Sequence, residues 1–333
     1  MVYIYKKIVG GKPYYYLRLS QRVDGKVITK DVAYLGSDVS KIQNQLDGLP
    51  KKHQANIRKS HRTIKRFIES HYFLDKIEKL KENRYLSKNL HREIEAARLH
   101  FQTRFLKFPH QTIRDTYEGF LIEFAYNTTS IEGNTITLKE AAKLLMEDLT
   151  PKERTSREIF DLQNTKKVFF YLFDEKPTFD EELIIKIHDL LLENIDVRKG
   201  YRTHDIRVFK SRFKASDVQY ISTDIGLLFK WYNANKKKLH PLVLASLFHQ
   251  KFEHIHPFSD GNGRTGRMVL NYLLFLHEYP PTIIKKKNRS EYLAALAKGD
   301  RTAIDIIDPA IFKELVTYVG AELVDSYWNN FNI

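Results

Sequence analysis

The chain has 333 residues, enough to bury a full core, and 42% of them are hydrophobic, which excludes disorder on a large scale. Lys and Arg exceed Asp and Glu by 55 − 41 = 14, and the absence of cysteine excludes disulfides, zinc–thiolate sites and thiol nucleophiles together. The excess charge is local: residues 1–115 carry 25 basic and 11 acidic side chains, whereas residues 116–333 carry 30 of each. Such a front third suits nucleic acid, an anionic surface or an acidic protein, or is simply a solvated face. The opening MVYIYKKIVGGK lacks the apolar core of a signal peptide, and no apolar run approaches the roughly 18 residues of a spanning helix. The chain reads as soluble and cytoplasmic, with no membrane partner.

In chain order, β-branched and aromatic runs at Val2 to Val9, Tyr14 to Leu19 and Val27 to Leu35 are separated by Gly10-Gly11-Lys12-Pro13 and Asp24-Gly25. These turn signals predict a three-stranded antiparallel meander, too small to be stable without a packing partner. Gly36 to Pro50 reads as a connector. From about residue 55 the apolar spacing becomes helical, with charged helices over 55–107 and further helices over 112–127, 137–148, 153–173, 180–194, 223–237, 241–255, 263–277, 288–298 and 308–328. Residues 203–223, THDIRVFKSRFKASDVQYIST, alternate as a hairpin does. The expected organisation is a β-rich appendage and connector (1–50), a basic helical segment (51–110), a catalytic domain (111–285) and C-terminal helices (286–333).

One stretch concentrates chemistry. Residues 256–267 read HPFSDGNGRTGR, between the apolar helix LHPLVLASLFHQKFEHI and a second one starting at MVLNYLLFL. Gly261 and Gly263 permit positive φ and close approach of a ligand, and the N–H groups that open the next helix favour an anion, so the turn reads as a phosphate cradle. Arg264 and Arg267 share a face of that helix. Two guanidinium groups at a helix N-terminus are electrostatically costly and call for a polyanion or an internal carboxylate. His256 has the pKa of a general base, and Asp260 suits a magnesium ion that keeps water and phosphate oxygens as its other ligands. Pro257 and Phe258 read as core anchors. His249 and His254 are five residues apart on a helix, a poor spacing for shared metal ligation. P-loop and Rossmann glycine motifs are absent.

HPFSDGNGRTGR resembles the Fic family signature, His-x-Phe-x-Asp/Glu-Gly-Asn-Gly-Arg-x-x-Arg, with every signature position filled, and the resemblance spans roughly residues 110–280. It implies a mainly α fold: a Fic-type helical bundle with a β-hairpin flap, to which the N-terminal β appendage is added. It implies transfer of AMP from ATP to a Ser, Thr or Tyr hydroxyl of a protein. His256 would deprotonate that hydroxyl, Asp260 would hold Mg²⁺, and Asn262 with the amides near Gly261 and Gly263 would hold the α-phosphate. Arg264 would grip the distal phosphates, and Arg267 would meet the γ-phosphate or an inhibitory carboxylate. Gly263, where kinase-like relatives have Lys, favours AMP transfer over phosphate transfer. TTSIEGN, residues 128–134, resembles the family's inhibitory motif through Thr128, Glu132 and Gly133, which implies a Glu132–Arg267 pair that blocks the γ-phosphate. The plainer reading of Glu132 is a cap for the helix starting near Thr135 or Thr137. The hairpin at 203–223 resembles the flap that docks a target segment, with Ile206 and Val208 as clamp residues.

Three functions follow for test: an AMP transferase restrained by Glu132, an enzyme that removes AMP through the same site, and a non-catalytic ATP-sensing regulator. The expected partners are ATP, Mg²⁺ and a hydroxyl-bearing protein. A homodimer stays open, as does nucleic acid or an acidic partner at the basic front third, where Tyr14, Tyr15 and Tyr16 lie beside Lys12 and Arg18. The alternative there is a β appendage whose tyrosines pack on the helical body.

Overall fold

The computed structural model describes residues 1–206 and 214–333. The front of the chain is a three-stranded antiparallel sheet in the order β1 (Val2–Val9), β2 (Lys12–Val23), β3 (Lys26–Gly36). Both hairpins turn through two residues with positive φ, Gly10-Gly11 and Asp24-Gly25, so that Val9 pairs with Lys12 and Val23 with Lys26. Positive φ at both central positions matches the right-handed strand twist, which is why glycine-rich dipeptides occupy these loops. Alternation then sorts the side chains: Val2, Ile4, Tyr15, Leu17 and Leu35 face inward and are buried.

The expected connector carries more structure than its composition suggested. It holds a 3₁₀ turn at Val39–Lys41 and α1 (Ile42–Asp47); with α2 (Lys51–Lys59) and α3 (His61–Asp75), which follow it, these supply Val39, Ile42, Leu46, Ile57 and Ile64, which cover the inner face of the sheet as a small separate core. Tyr15, one of three consecutive tyrosines, is fully buried there against Phe67 and His71. Helix α3 joins this core to the larger one, because its Phe73 packs among the main helices and its Arg66 pairs with Asp325 at 3.1 Å.

The main body follows as α4 (Lys88–Thr103), α5 (His110–Ile131), α6 (Leu138–Glu147), α7 (Ser156–Glu175), α8 (Glu181–Leu191), α9 (Ile221–Asn235), α10 (Pro241–Ile255), α11 (Asn262–Leu276), α12 (Arg289–Ala297) and α13 (Pro309–Asn330). Helix α10 is apolar nearly all round, with Leu242, Val243, Leu244, Leu247, Phe248 and Phe252 fully buried, as expected of a helix enclosed by others. It packs against α11, α9 and α13, so the turn joining α10 to α11 is held at the centre of the body. No helix among the described residues is long and apolar enough to cross a membrane.

Of the hairpin expected over 203–223, residues 207–213, and Val208 with them, lie outside the described residues. Ile206 is half-buried at their edge. Beyond them, Val218–Tyr220 form a 3₁₀ turn and α9 begins at Ile221, so the alternating pattern ends sooner than the sequence implied. Asp205 explains the early start, its carboxylate accepting from the Val218 N–H at 2.8 Å.

Candidate active site

The turn between α10 and α11 owes its shape to a few residues. His256 ends α10 in the left-handed conformation (φ 52°, ψ 59°), a cost of about 1 kcal/mol for an L residue, and redirects the chain sharply. Phe258 then enters the core, stacked on His188 with ring centroids 3.7 Å apart. His188 also reaches the Asp260 carbonyl at 3.1 Å and Asp189 at 2.9 Å. Asn262 closes the loop on itself: its Oδ1 accepts from the Phe258 N–H at 2.9 Å and its Nδ2 donates to the Phe258 carbonyl at 2.8 Å. Both ends of that amide hold the loop, and Nδ2 carries a second N–H beyond the one given to Phe258. The backbone N–H groups that open α11 are what the turn offers an anion.

Glycine is required at two positions. Gly261 has φ 76°, and a Cβ there would meet Leu192 Cδ2 at 2.6 Å. A Cβ at Gly263 would lie 2.1 Å from Glu132 Oε1 and 2.9 Å from Arg267 Nη1, so only the bare backbone lets that pair close over the helix start.

Both arginines are buried, and each has found acid. Arg267 donates from Nε to Thr128 Oγ1 at 2.8 Å and from Nη2 to the Thr128 carbonyl at 2.9 Å and Glu132 Oε1 at 2.7 Å. Arg264 donates to Asp161 and approaches Asp260 Oδ1 at 3.4 Å. Three carboxylates thus answer two guanidinium groups placed against the positive end of a helix, which is the compensation the charge argument required. Burial works to raise the Glu132 carboxyl, but the charge and hydrogen bond of Arg267, with Arg264 behind, hold it below the usual range. Glu132 does not cap α6. Thr137 does that, in a capping box with Glu140, and Glu132 instead ends α5.

The turn carrying Glu132 is pinned from several sides. The Thr135 N–H donates to Glu158 at 2.9 Å, Asn134 Nδ2 donates to the Glu158 carbonyl at 3.0 Å, and Arg289 Nε donates to the Ile131 carbonyl at 2.9 Å. A carboxylate at a helix C-terminus is locally unfavourable, and Glu132 escapes that penalty by crossing to the N-terminus of α11.

His256 Nδ1 lies 3.2 Å from the Glu253 carbonyl, an acceptor, so Nδ1 carries the proton and Nε2 is the basic nitrogen. Burial lowers its pKa, opposed by the Glu253 carbonyl and Glu132, so at neutral pH the ring is in the form a general base needs. Asp260 stands at the mouth of the turn, its side chain 34% exposed, bonded to Arg157 and accepting from the Gly261 N–H at 2.6 Å. Arg157 is itself 53% exposed and occupies the place of a cation beside Asp260. A single carboxylate next to a phosphate-sized cradle fits Mg²⁺, which prefers to keep waters and phosphate oxygens.

Several contributors escaped the sequence reading. Asp161, Arg157, His188 and Glu253 each lie far from the motif in sequence or carry no pattern of their own. Arg202 is buried and ties the segment before residue 207 to the α10–α11 turn: its N–H donates to the Pro257 carbonyl at 2.9 Å and its Nε to the His256 carbonyl at 3.0 Å. Glu253, on α10, has Oε2 3.9 Å from His256 Nδ1 and Oε1 3.9 Å from His249 Nδ1. Burial pushes the Glu253 carboxyl up to about 8, against the pull of Arg267. The folded chain therefore holds a proton there that the unfolded chain releases above about pH 4.5, and stability falls as pH rises from about 4.5 to about 8. We expect Glu253→Gln to remove a loss of roughly 3 kcal/mol between pH 5 and 8. Urea unfolding at both pH values checks this, and parallel pH dependence in the two proteins would refute it.

His249 Nε2 meets Tyr292 Oη at 2.5 Å. His91, Glu95 and His240 come close enough together to suggest a cation. However, His240 Nδ1 accepts from the Leu242 N–H at 3.2 Å, so Nε2 carries the proton it shares with Glu95 at 2.9 Å and points no lone pair at a metal.

Over 210 residues the chain is 31% identical to the protein adenylyltransferase Fic of Drosophila ananassae, covering 59% of this chain and 41% of that protein. It is 29% identical over 180 residues to a probable protein adenylyltransferase of Aquifex aeolicus, covering 54% of each, so it spans about half or less of the curated relatives it matches. Among solved structures, a Fic domain-containing signaling protein from Bacteroides thetaiotaomicron superimposes with a TM-score of 0.63 at 23% identity, over 70% of this chain and 94% of that one. Fic-1 (residues 134–508) from Caenorhabditis elegans does so with 0.60 at 20% identity, over 88% and 92%, and these two likenesses speak for the fold. The model of the Fic/DOC family matches residues 178–274, from just before α8 through the α10–α11 turn into α11, and over that stretch the helical body of this chain is similar to a Fic domain.

Proposed function

We propose that the chain is a protein adenylyltransferase, moving AMP from ATP to a Ser, Thr or Tyr hydroxyl of a protein and releasing pyrophosphate. One observation carries the reading: a neutral His256 with Nε2 as its basic nitrogen, set directly before a glycine turn backed by two buried arginines. In the step we envisage, His256 takes the hydroxyl proton, the oxygen forms a bond to the α-phosphorus, and the bond from that phosphorus to the pyrophosphate oxygen breaks. The N–H groups opening α11 receive the α-phosphate, and Arg264 takes the distal phosphates. Asp260 would hold Mg²⁺ once Arg157 swings into solvent, and the ion would neutralise phosphate charge. Glu132 on Arg267 occupies the position we assign to the γ-phosphate, so the resting enzyme is autoinhibited. The division of labour we propose gives residues 111–285 the chemistry, 286–333 its support, and 1–110 partner recognition, in the cytosol. Ile206 and Val208 remain our candidates for gripping the target segment.

Removal of AMP through the same site is the second reading, favoured only by the persistence of Glu132 at the pocket, where a carboxylate can orient a water. We expect α-³²P-labelled ATP to label protein in the Glu132→Gly chain and not in the Glu132→Gly/His256→Ala chain, with a loss of at least a hundredfold. Equal labelling of both would refute the role of His256, and release of AMP from a modified protein by the wild type would favour the reverse reaction.

A further inference from the structure

The sheet has a second face. Alternation sends Tyr3 and Tyr5 of β1, Tyr14 and Tyr16 of β2 and Tyr34 of β3 away from the small core, and none of these five belongs to any of the three packed clusters. Register gathers them: Tyr5 pairs with Tyr16 and Tyr16 with Tyr34, giving a cross-strand row of three rings, with Tyr14 paired to Lys7 and Tyr3 to Arg18 beside it. Tyr16 and Tyr34 have centroids 5.3 Å apart, Tyr14 and Tyr34 6.5 Å, and the Arg18 guanidinium lies 3.6 Å over the Tyr5 ring. Tyr34 is 54% exposed. Helices α1 to α3 all pack on the opposite face, through residues such as Ile42, Ile57 and Ile64.

We propose that this tyrosine face binds single-stranded nucleic acid, the rings taking bases by stacking while Lys7, Lys12 and Arg22 take phosphates. Adjacent strands lie about 4.8 Å apart, so the row offers π surfaces at intervals a flexible strand of bases can follow, without reading sequence. Charge complementarity supplies the rest, since residues 1–115 carry 25 basic against 11 acidic side chains. A second copy of the chain is a poor occupant: a two-fold contact would set the patch that carries Lys7, Lys12 and Arg22 against the same basic patch of the other copy. An acidic protein matches the charge but leaves a face of five rings without purpose. The inference is independent of the nucleotide-transfer reading, because it concerns other residues and a different ligand.

The test is fluorescence anisotropy of a labelled oligonucleotide of roughly 12 nucleotides, dT or mixed RNA, with the full chain at 50 and 200 mM salt. The expected results are binding at low salt, a fall of at least tenfold at 200 mM, and a further loss of tenfold or more in Tyr16→Ala/Tyr34→Ala. Tyr16→Phe/Tyr34→Phe should retain binding, since the π faces remain. Circular dichroism and melting of each variant establish that the sheet is intact. Absence of binding at 50 mM salt, or equal binding by wild type and the double alanine variant, overturns the proposal. So does a dimer in sedimentation that the double alanine variant dissolves, which would give the face to a second copy.

Discussion

Glu132→Gly is expected to raise ATP-dependent labelling by one to two orders of magnitude and, at the same time, to lower the melting temperature of the nucleotide-free protein. Both effects come from one contact. Glu132 Oε1 lies 2.7 Å from Arg267 Nη2, and Arg267 is 2% exposed, so deleting the carboxylate leaves a buried guanidinium with Thr128 and Tyr292 as neutral partners. Breaking a fully buried ion pair costs about 3–5 kcal/mol, but the Glu132 side chain is 43% exposed, which reduces the expected loss to about 1–2 kcal/mol. ATP should restore more stability to the variant than to the wild type, because its γ-phosphate takes the vacated partner and no longer competes with a tethered carboxylate. Activity from quantified label and melting with and without Mg-ATP measure the two arms. A lower melting temperature with unchanged turnover would make Glu132 a structural counter-ion and end the autoinhibition reading.

How much of this was legible beforehand differs by element. The glycine dipeptides fixed both hairpins, and the apolar periodicity located α5 to α13 closely, because local φ preference and helical burial are both written in neighbouring residues. Within the connector Ile42 and Leu46 are too sparse to show a period, and they become a helix face only when a sheet is there to cover. In the site, spacing pointed to His256, Gly261, Gly263, Arg264 and Arg267. Asp161 and Glu253 could not be found that way. Each is one carboxylate on a long amphipathic helix, and its meaning lies in which guanidinium or imidazole the tertiary fold brings against it. The charge argument nevertheless demanded such partners: two arginines at a helix start need acid, and Asp161 answers for Arg264 as Glu132 does for Arg267.

Exposure sorts the three acids into permanent and exchangeable counter-ions, and Asp161 is the permanent one. Its side chain is 10% exposed against 43% for Glu132 and 34% for Asp260, and Asn134 Nδ2 approaches its second oxygen at 3.4 Å. Burial pushes the Asp161 carboxyl above its ordinary range, with Arg264 and Arg157 pulling the other way, so it depends on Arg264 as Arg264 depends on it. Asp161→Ala would leave Arg264 buried with only Asp260 at 3.4 Å, and we expect a loss of about 3 kcal/mol in urea unfolding. If Asp161 also aims Arg264 at the distal phosphates, then in the Glu132→Gly background labelling at saturating ATP should fall tenfold or more, measured well below the melting temperature. Asp161→Asn keeps the shape and one acceptor, and should recover part of the stability but little of the rate, because a neutral amide holds the guanidinium less firmly. Full rate in a destabilised Asp161→Ala protein would leave Asp161 as a counter-ion with no part in positioning. A matching fall in both variants, with Arg264→Ala adding nothing further, would show that the two residues act as one unit.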